Sequence, residues 1–248
     1  MPVQFQNYEF SYLRSGKPIF APSDLGKRIG EDIKNQVEAA YSFDDFVFHL
    51  RHSGGHVAAL HAHRDHKYFA RVDIARFFYS IARNRVQRAL AEIGILRARH
   101  YAKWSCVKNP YLDPTYALPY GFIQSPILSS LVLMQSAVGN YLRSISTGGQ
   151  ISVSVYMDDI SLSSDNNDVL VEAFEKLKQN LGEANFGLNI AKERTPSSAM
   201  DVFNCDISRG KVGVQQQRVD LFYSQERSPL SIAGFEDYCE RVIDGNAP

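Results

Sequence analysis

The stretch that decides the fold is Tyr156-Met157-Asp158-Asp159, an adjacent pair of carboxylates between two short runs of alternating residues. Before it, Ile151 to Val155 alternates apolar and small polar residues, and Ile160 to Ser163 resumes the alternation, which is the period of a half-buried strand. The pattern predicts a β-hairpin over residues 151–163 with both aspartates at its tip. Taken alone, the tetrapeptide also fits an ordinary acidic turn, because aspartate is common in turns.

A further aspartate lies upstream, in Phe69-Ala70-Arg71-Val72-Asp73-Ile74. This run predicts a buried strand over 69–74 that Asp73 interrupts, followed by a helix over 83–93. An ionised aspartate in a buried strand costs several kcal/mol unless a partner compensates its charge. A cap on the next helix is the alternative. With the hairpin, Asp73 completes the set of one carboxylate plus an adjacent pair that two Mg²⁺ ions, roughly 3.5–4 Å apart, require for phosphoryl transfer.

Four motifs in this order resemble those of the reverse transcriptases, and the resemblance covers most of the chain. They are Val72–Phe78, the loop Leu118–Pro126, the hairpin at Tyr156–Asp159 and the segment Gly187–Thr195. The loop leads into an apolar helix that we expect over 126–145.

The resemblance implies an α+β fold, a right-hand polymerase with fingers and palm. The fingers would cover residues 1–68, and the palm, a split βαβ layer like that of an RRM domain, residues 69–200. We also expect an amphipathic helix over 168–185, with Val171, Phe174, Leu177 and Leu181 on its apolar face, and a strand near 187–191. Residues 201–248 would form a hairpin like the primer grip and a short C-terminal helix. Little or no thumb is expected, because about 25 residues follow Tyr223.

Two positions depart from the family's usual pattern. Leu118-Pro119-Tyr120-Gly121 stands where Leu-Pro-Gln-Gly is usual, and in motif style this variant resembles bacterial abortive-infection and defence-associated reverse transcriptases. Arg194 stands where lysine is usual. Arginine supplies charge but scarcely a proton, since its pKa stays above about 12.

The resemblance also implies roles for individual residues. Asp73, Asp158 and Asp159 would be catalytic and would hold two Mg²⁺ ions, with Mn²⁺ as a substitute and the Ile74 carbonyl as a further ligand. Phe78 stands at the steric gate against a ribose 2′-hydroxyl, with a core phenylalanine as the alternative. The other expected substrate-binding residues are Arg51 and His56 on a fingers hairpin turning at Ser53-Gly54-Gly55, then Tyr120, Gly121, Gln124 and Arg194. For Arg51 and His56, an exposed turn with polar flanks is the alternative.

The net charge of zero hides an uneven distribution. Residues 51–108 contain twelve Lys or Arg and three acids, so this span carries +9 and the rest of the chain −9. The asymmetry favours a basic channel for a polyanionic backbone; for Arg83, Arg85 and Arg88 a solvated helix face is an equal alternative. A zinc site at His61, His63 and His66 is disfavoured, because the cysteines are scattered.

The function predicted in this way is RNA-directed DNA polymerisation from dNTPs in bacterial antiphage defence, with a non-coding RNA as template. Another copy or a partner protein would supply the thumb. The alternatives are a catalytically idle palm that acts as an RNA-binding or assembly subunit, template-independent or protein-primed DNA synthesis, and a nucleotide cyclase. We expect a bacterial cytoplasmic protein without a membrane partner. The cysteines are scattered, no apolar run reaches ~20 residues, and Met1–Phe5 shows no secretory signal.

Overall fold

The computed structural model describes residues 6–245, so the N-terminal pentapeptide lies outside it. The helices are α1 (Asp24–Ala40), α2 (His56–His61), α3 (Arg83–Glu92), α4 (Ala98–Ser105), α5 (Ser125–Met134), α6 (Ala137–Thr147), α7 (Asn167–Glu183), α8 (Gln216–Tyr223) and α9 (Pro229–Asp244). The strands are β1 (Tyr8–Arg14), β2 (Lys17–Pro22), β3 (Tyr68–Asp73), β4 (Val107–Lys108), β5 (Tyr116–Ala117), β6 (Ser152–Tyr156), β7 (Asp159–Ser164), β8 (Arg194–Ser197), β9 (Ala199–Val202), β10 (Cys205–Ser208) and β11 (Lys211–Val214). Single 3-10 turns are Phe48–Leu50, Phe78–Ser80 and Ile190–Lys192.

The chain folds into two compact units that interleave along the sequence. The first consists of the chain up to Phe43, Ile74–Asn140 and Leu181–Gly187; the second consists of Asp44–Asp73, Tyr141–Asn180 and the chain from Leu188 onward. The predicted division at residues 68 and 200 is into contiguous segments instead, and the fingers and palm boundaries stay a prediction.

The first unit is mainly helical. Its α1 is capped by Ser23, whose hydroxyl accepts a hydrogen bond from the Gly26 N–H at 3.1 Å and so satisfies one of the free donors of the first turn. Helix α5 is buried over almost its whole length. The hydroxyls of Ser129 and Ser130 both donate to the Pro126 carbonyl, at 2.8 and 3.0 Å, so this helix buries serine without leaving its polar atoms unpaired.

The second unit contains a four-stranded antiparallel sheet in the order β6-β7-β3-β8. Numbered by appearance along the chain, this order is 2-3-1-4, the arrangement of a split βαβ layer, so the predicted α+β palm-type sheet is confirmed. A separate antiparallel sheet, β11-β10-β9, contains the predicted hairpin with its turn at Arg209-Gly210. No helix within residues 6–245 is long and apolar enough to cross a membrane.

The helix expected over 126–145 is wrong as a single element. It breaks into α5 and α6, because the Ser136 hydroxyl accepts the N–H of Val138 at 3.2 Å and begins a new helix. Gly139 allows the close approach of the two, since a Cβ there would lie 2.1 Å from the Met134 carbonyl oxygen.

Two expected strand elements and one expected core residue are also wrong. Ser53-Gly54-Gly55 does not turn a β-hairpin. The Gly55 N–H donates to the Phe48 carbonyl at 2.9 Å, and helix α2 follows. The strand expected near 187–191 is a 3-10 turn, and the sheet strand is β8. In α7 the apolar face includes Leu170 rather than Val171, which is 42% exposed.

Candidate active site

The hairpin of β6 and β7 with its turn, called the catalytic hairpin after its predicted role, brings the aspartates together. Tyr156 pairs with Asp159 across the hairpin, which leaves Met157 and Asp158 as a two-residue turn. Met157 has φ +56°, the left-handed conformation that such short hairpin turns require. Asp159 also pairs with Asp73 on β3. The register of one sheet therefore places all three carboxylates at the same edge.

Asp73 is buried and makes two charge-assisted contacts. Its Oδ1 accepts from the Asn189 amide at 2.9 Å, and its Oδ2 lies 2.8 Å from the Lys192 Nζ. The Asn189 N–H donates to the Asp73 carbonyl at 2.9 Å, which fixes the Ile190–Lys192 turn beside the sheet. The hydrogen bond to Asp73 raises the pKa of Lys192, and the charges of Asp158 and Asp159 add to this effect.

Asp159 is held by Arg71, which lies two residues before Asp73 on β3. The Arg71 Nε and Nη2 lie 2.7 and 2.5 Å from Asp159 Oδ1, and its Nη1 donates to the Asp201 carbonyl at 3.1 Å. The Arg71 side chain is only 9% exposed, so the pair is largely shielded from solvent. Burial nonetheless raises the pKa of Asp159, against the opposing effect of Arg71.

Asp158 at the turn makes no ion pair within the described residues, and its carboxylate accepts a hydrogen bond from its own backbone N–H. Burial, followed by the charges of Asp159 and Asp73, raises the pKa of its carboxyl from 3.8 to about 6. A carboxyl whose ionisation is opposed by two neighbouring acids is a site where a cation would be strongly favoured.

Histidine side chains form hydrogen bonds with the hairpin. His49 Nδ1 accepts the Met157 N–H at 3.2 Å, and its ring lies 5.6 Å from that of Tyr156. His63 is fully buried between two hairpin hydroxyls, with Nδ1 2.7 Å from Ser163 Oγ and Nε2 2.8 Å from Ser154 Oγ. The histidines considered for zinc thus bond to separate partners, since His66 contacts Ser152 and His61 contacts the Val242 carbonyl.

Arg194 makes an ion pair away from the three aspartates. Its Nε and Nη2 bond to the Asp201 carboxylate, and this contact lowers the pKa of Asp201. Lys192, two residues earlier, contacts Asp73, and Arg71 contacts Asp159. The resemblance to the family lies in the Arg194-Thr195 dipeptide, so it predicts a role for Arg194. The contact of Lys192 with Asp73 is visible only in the fold.

The predicted nucleotide contacts on the glycine segment do not lie on a hairpin. Arg51 donates from Nη1 to the Asp45 carbonyl at 2.9 Å, and its guanidinium lies 4.9 Å from the centre of the Phe48 ring. His56 begins α2 and lies 6.3 Å, ring to ring, from Tyr156. Their triphosphate contacts stay a prediction, without the hairpin that was to position them.

The other predicted substrate residues lie in the first unit. Phe78 is buried, and its ring lies 4.8 Å from that of Tyr120. Gly121 has φ +101°, and a Cβ there would meet the Phe20 carbonyl oxygen at 2.2 Å. The fold by itself therefore requires glycine at this position. Gln124 and Ile74 are both buried, at 1% exposure. The contacts of these residues within the fold do not show whether they bind substrate, so their roles stay predictions.

Within residues 6–245, no group of three or more His, Cys, Asp or Glu side chains is placed so that it could hold a metal ion. Lys192 and Arg71 contact two of the three carboxylates instead. The chemistry of the set still fits a hard divalent cation. All three groups offer oxygen ligands, and burial, followed by the charges of Asp159 and Asp73, raises the pKa of Asp158.

Fold and site together define a palm-type polymerase domain, a split βαβ sheet with three carboxylates at one edge. The sequence profile described as "Reverse transcriptase (RNA-dependent DNA polymerase)" matches residues 13–217. The chain belongs to the reverse transcriptase family, as the motifs predict. No curated protein sequence matches it.

Two solved structures show a similar fold. The foamy viral protease-reverse transcriptase dRH in complex with double-stranded DNA gives a TM-score of 0.54 at 16% identity, covering 92% of this chain and 35% of that one. The foamy viral protease-reverse transcriptase with double-stranded DNA gives 0.52 at 17% identity, covering 92% and 41%. The chain therefore spans well under half the length of these proteins.

Proposed function

We propose that this protein is an RNA-directed DNA polymerase whose reaction centre is the carboxylate edge formed by Asp73, Asp158 and Asp159. The observation that carries the proposal is the strand pairing of Asp159 with Asp73 and with Tyr156, which places all three carboxylates at one edge of the sheet. Membership of the reverse transcriptase family supports the synthesis of DNA on an RNA template.

The chain's own residues would bind and position the reactants. Asp73, Asp158 and Asp159 would hold two Mg²⁺ ions, or Mn²⁺ in their place, with the Ile74 carbonyl as a further ligand. The ions would activate the attacking primer hydroxyl and stabilise charge on the leaving pyrophosphate. The His49 contact to the Met157 N–H holds the turn that aims Asp158, so the ligand is preorganised.

Lys192 would exchange partners during this process. Lys192 contacts Asp73, so its ammonium would be displaced if this carboxylate held a divalent cation. The freed ammonium would then lie beside the triphosphate and stabilise its negative charge. Arg194 forms an ion pair with Asp201, and its contact with the substrate stays a prediction.

We further propose the nucleic-acid partners and the biological setting. The foamy viral enzymes of similar fold are described with double-stranded DNA, and we propose an RNA template and a DNA product for this chain. The motif variant at Tyr120 supports a bacterial antiphage role in the cytoplasm, with a non-coding RNA as template. A second copy or a partner protein would complete the grip on the duplex.

One observation favours a second candidate, a catalytically idle palm that serves as an RNA-binding or assembly subunit. Arg71 and Lys192 already compensate two of the three carboxylates, so the fold is electrostatically tolerable without any metal. Template-independent or protein-primed synthesis would use the same carboxylates as the main proposal, and only product analysis separates it.

The test is incorporation of a labelled dNTP by the purified full chain with Mg²⁺, with and without an RNA template carrying a DNA primer. We expect template-dependent extension, which Asp158→Asn abolishes. The matched control is Asp165→Asn, because that exposed residue follows β7 and lies outside the carboxylate set. No extension by the native chain, with RNA still bound, would support the idle subunit instead. Products that form without template would indicate template-independent or protein-primed synthesis.

A further inference from the structure

The aromatic pocket, a cavity of about 540 Å³ in the second unit, lies beside the catalytic hairpin and has no role in the proposed chemistry. Six ring-bearing side chains line it: His56, Tyr156, Phe203, Phe222, Phe235 and Tyr238. Its volume falls within the range of roughly 300–1,000 Å³ typical of small-molecule sites.

One wall of the pocket is formed by Tyr156, which directly precedes the turn of the catalytic hairpin. Tyr156, the strand partner of Asp159, has its ring 5.2 Å from that of Phe203. His56 extends this wall, with its ring 5.9 Å from Phe203 and 5.6 Å from Tyr238. A group bound among these rings would therefore lie next to the hairpin that carries Asp158.

Phe203 is held in a conformation that its side chain does not favour. Phe203 and Asn204 form the two-residue turn between β9 and β10, with φ of +56° and +59°. Such turns favour Asn-Gly, and a bulky residue in the left-handed region is a genuine outlier. Strain of this kind is found at functional sites, where the side chain is needed at that place. The Phe203 ring is half-buried and lines the cavity.

The charge of the pocket suits an anionic ligand. Arg218 is exposed and lines the pocket, and no acidic residue does. Burial, followed by the charge of Arg241, lowers the pKa of His56, so this ring is neutral at pH 7 and presents an uncharged face. Aromatic faces combined with a cation are the elements that bind unpaired bases and their backbone in single-stranded nucleic acid.

We propose that the aromatic pocket stacks one unpaired nucleobase of a nucleic-acid strand held at the catalytic hairpin. The inference rests on the proposed function for its substrate class, nucleic acid, and adds a subsite for a base outside the duplex. Stacking would hold the strand without reading its sequence, since every base has a π-face.

The experiment uses the full chain and a short single-stranded oligonucleotide that contains 2-aminopurine, whose fluorescence is quenched when it stacks on an aromatic ring. We expect quenching by the native protein. Phe203→Asn removes the ring and places in the turn a residue that tolerates positive φ, so the fold should be kept. We expect this variant to bind roughly 5- to 100-fold more weakly and to lose the quench.

Two further variants secure the result. Phe222→Leu removes a second ring from a helix rather than from the strained turn, and it should weaken the quench in the same direction. Phe10→Asn makes the same substitution at a phenylalanine that is 57% exposed in the first unit, and it should behave as native protein. Native-like quenching in both pocket variants would overturn the inference.

The source of the base is tested with 2-aminopurine deoxyribonucleoside triphosphate. Equal quenching and equal affinity for the free nucleotide would overturn the assignment to a strand. Asp158→Asn should abolish dNTP incorporation and keep the quench, because that carboxylate does not line the pocket. This variant therefore separates the inference from the proposed function. Quenching retained in a native chain that never incorporates dNTP would contradict polymerisation alone. Incorporation with an unaltered quench in Phe203→Asn would contradict the pocket alone.

Discussion

At the residue scale, the site is a balance between three acids and two basic side chains. Arg71 holds Asp159 and Lys192 holds Asp73, whereas Asp158 is left to its own backbone N–H. Arg71 is almost fully buried, but the Lys192 side chain is 50% exposed. Of the two cations, Lys192 is therefore the one that can leave when another positive ion enters.

Lys192→Met should weaken the metal-free protein and sharpen its response to Mg²⁺. The loss of stability should be about 1–3 kcal/mol, because the buried Asp73 carboxylate would keep only the Asn189 amide as partner. Mg²⁺ should then raise the melting temperature more than in the native chain, since no ammonium competes for Asp73. Thermal unfolding in EDTA and in Mg²⁺ measures both effects.

Lys178→Met is the matched control, since it removes a lysine whose partners are Glu175 and Glu193 rather than the active-site acids. An equal Mg²⁺ response in the two variants would contradict the competition between Lys192 and a metal ion.

Phe78 tests whether a buried ring also gates the sugar. Phe78→Ala should raise incorporation of rNTPs relative to dNTPs, because it removes the bulk predicted to oppose a 2′-hydroxyl. It should also cost about 3–5 kcal/mol of stability, since the side chain is buried. Single-nucleotide incorporation ratios measure selectivity. A loss of stability with unchanged sugar selectivity would show that Phe78 has a structural role in the core and does not act as the steric gate.

At the element scale, the catalytic hairpin depends on a buried histidine. His63 bonds to one serine on β6 and one on β7, and its ring is fully buried. Burial, followed by the charge of His66, lowers the pKa of His63 to about 3. A folded pKa below the unfolded value of 6.5 means that this contribution to stability is present above pH 6.5 and is lost as the pH falls toward 3.

His63→Leu should therefore cost about 2–5 kcal/mol at pH 7, because it leaves the hydroxyls of Ser154 and Ser163 buried without this partner. The difference from native protein should shrink below pH 6.5, by up to about 1.4 kcal/mol per pH unit. Urea unfolding between pH 4 and 8 measures this change. His52→Leu, at an exposed position, is the control. A difference that does not vary with pH would show that His63 does not titrate with unfolding.

The sequence predicts this hairpin well and its surroundings poorly, for a physical reason. Alternation with a period of two and a short acidic turn are local signals, so strands β6 and β7 follow from the residues between Ile151 and Ser164. The pairing of Asp159 with Asp73, and so the roles of Arg71 and Lys192, depends on register between distant segments. The break between α5 and α6 depends on one Ser136 hydroxyl, which periodicity does not detect.

At the scale of the whole molecule, the basic span 51–108 supplies cations that are used within the fold. Five of its arginines lie over aromatic rings, at 4.1 to 5.5 Å from the ring centres: Arg51, Arg76, Arg83, Arg85 and Arg97. Arg71 is committed to Asp159. The charge count of the sequence therefore overstates the number of cations free to bind phosphate, because a sequence does not show which guanidinium groups are used within the fold.

The logarithm of the nucleic-acid affinity should fall linearly with the logarithm of salt concentration, as expected when phosphates are neutralised. Arg88→Ala and Arg99→Ala, at exposed positions of this span, should each reduce the slope by about 1. Arg28→Ala, an exposed arginine outside the span, should leave the slope unchanged. Fluorescence anisotropy at several salt concentrations measures this. An equal effect of all three substitutions would contradict a localised basic channel.

The central claim is that three carboxylates at one sheet edge catalyse nucleotidyl transfer, and the most direct measurement is Mg²⁺-dependent dNTP incorporation by Asp73→Asn, Asp158→Asn and Asp159→Asn, each beside the native chain. The account predicts that the native chain extends a primer and that each single substitution abolishes extension while nucleic-acid binding is kept. Extension by any one of the three variants at the native rate would contradict it.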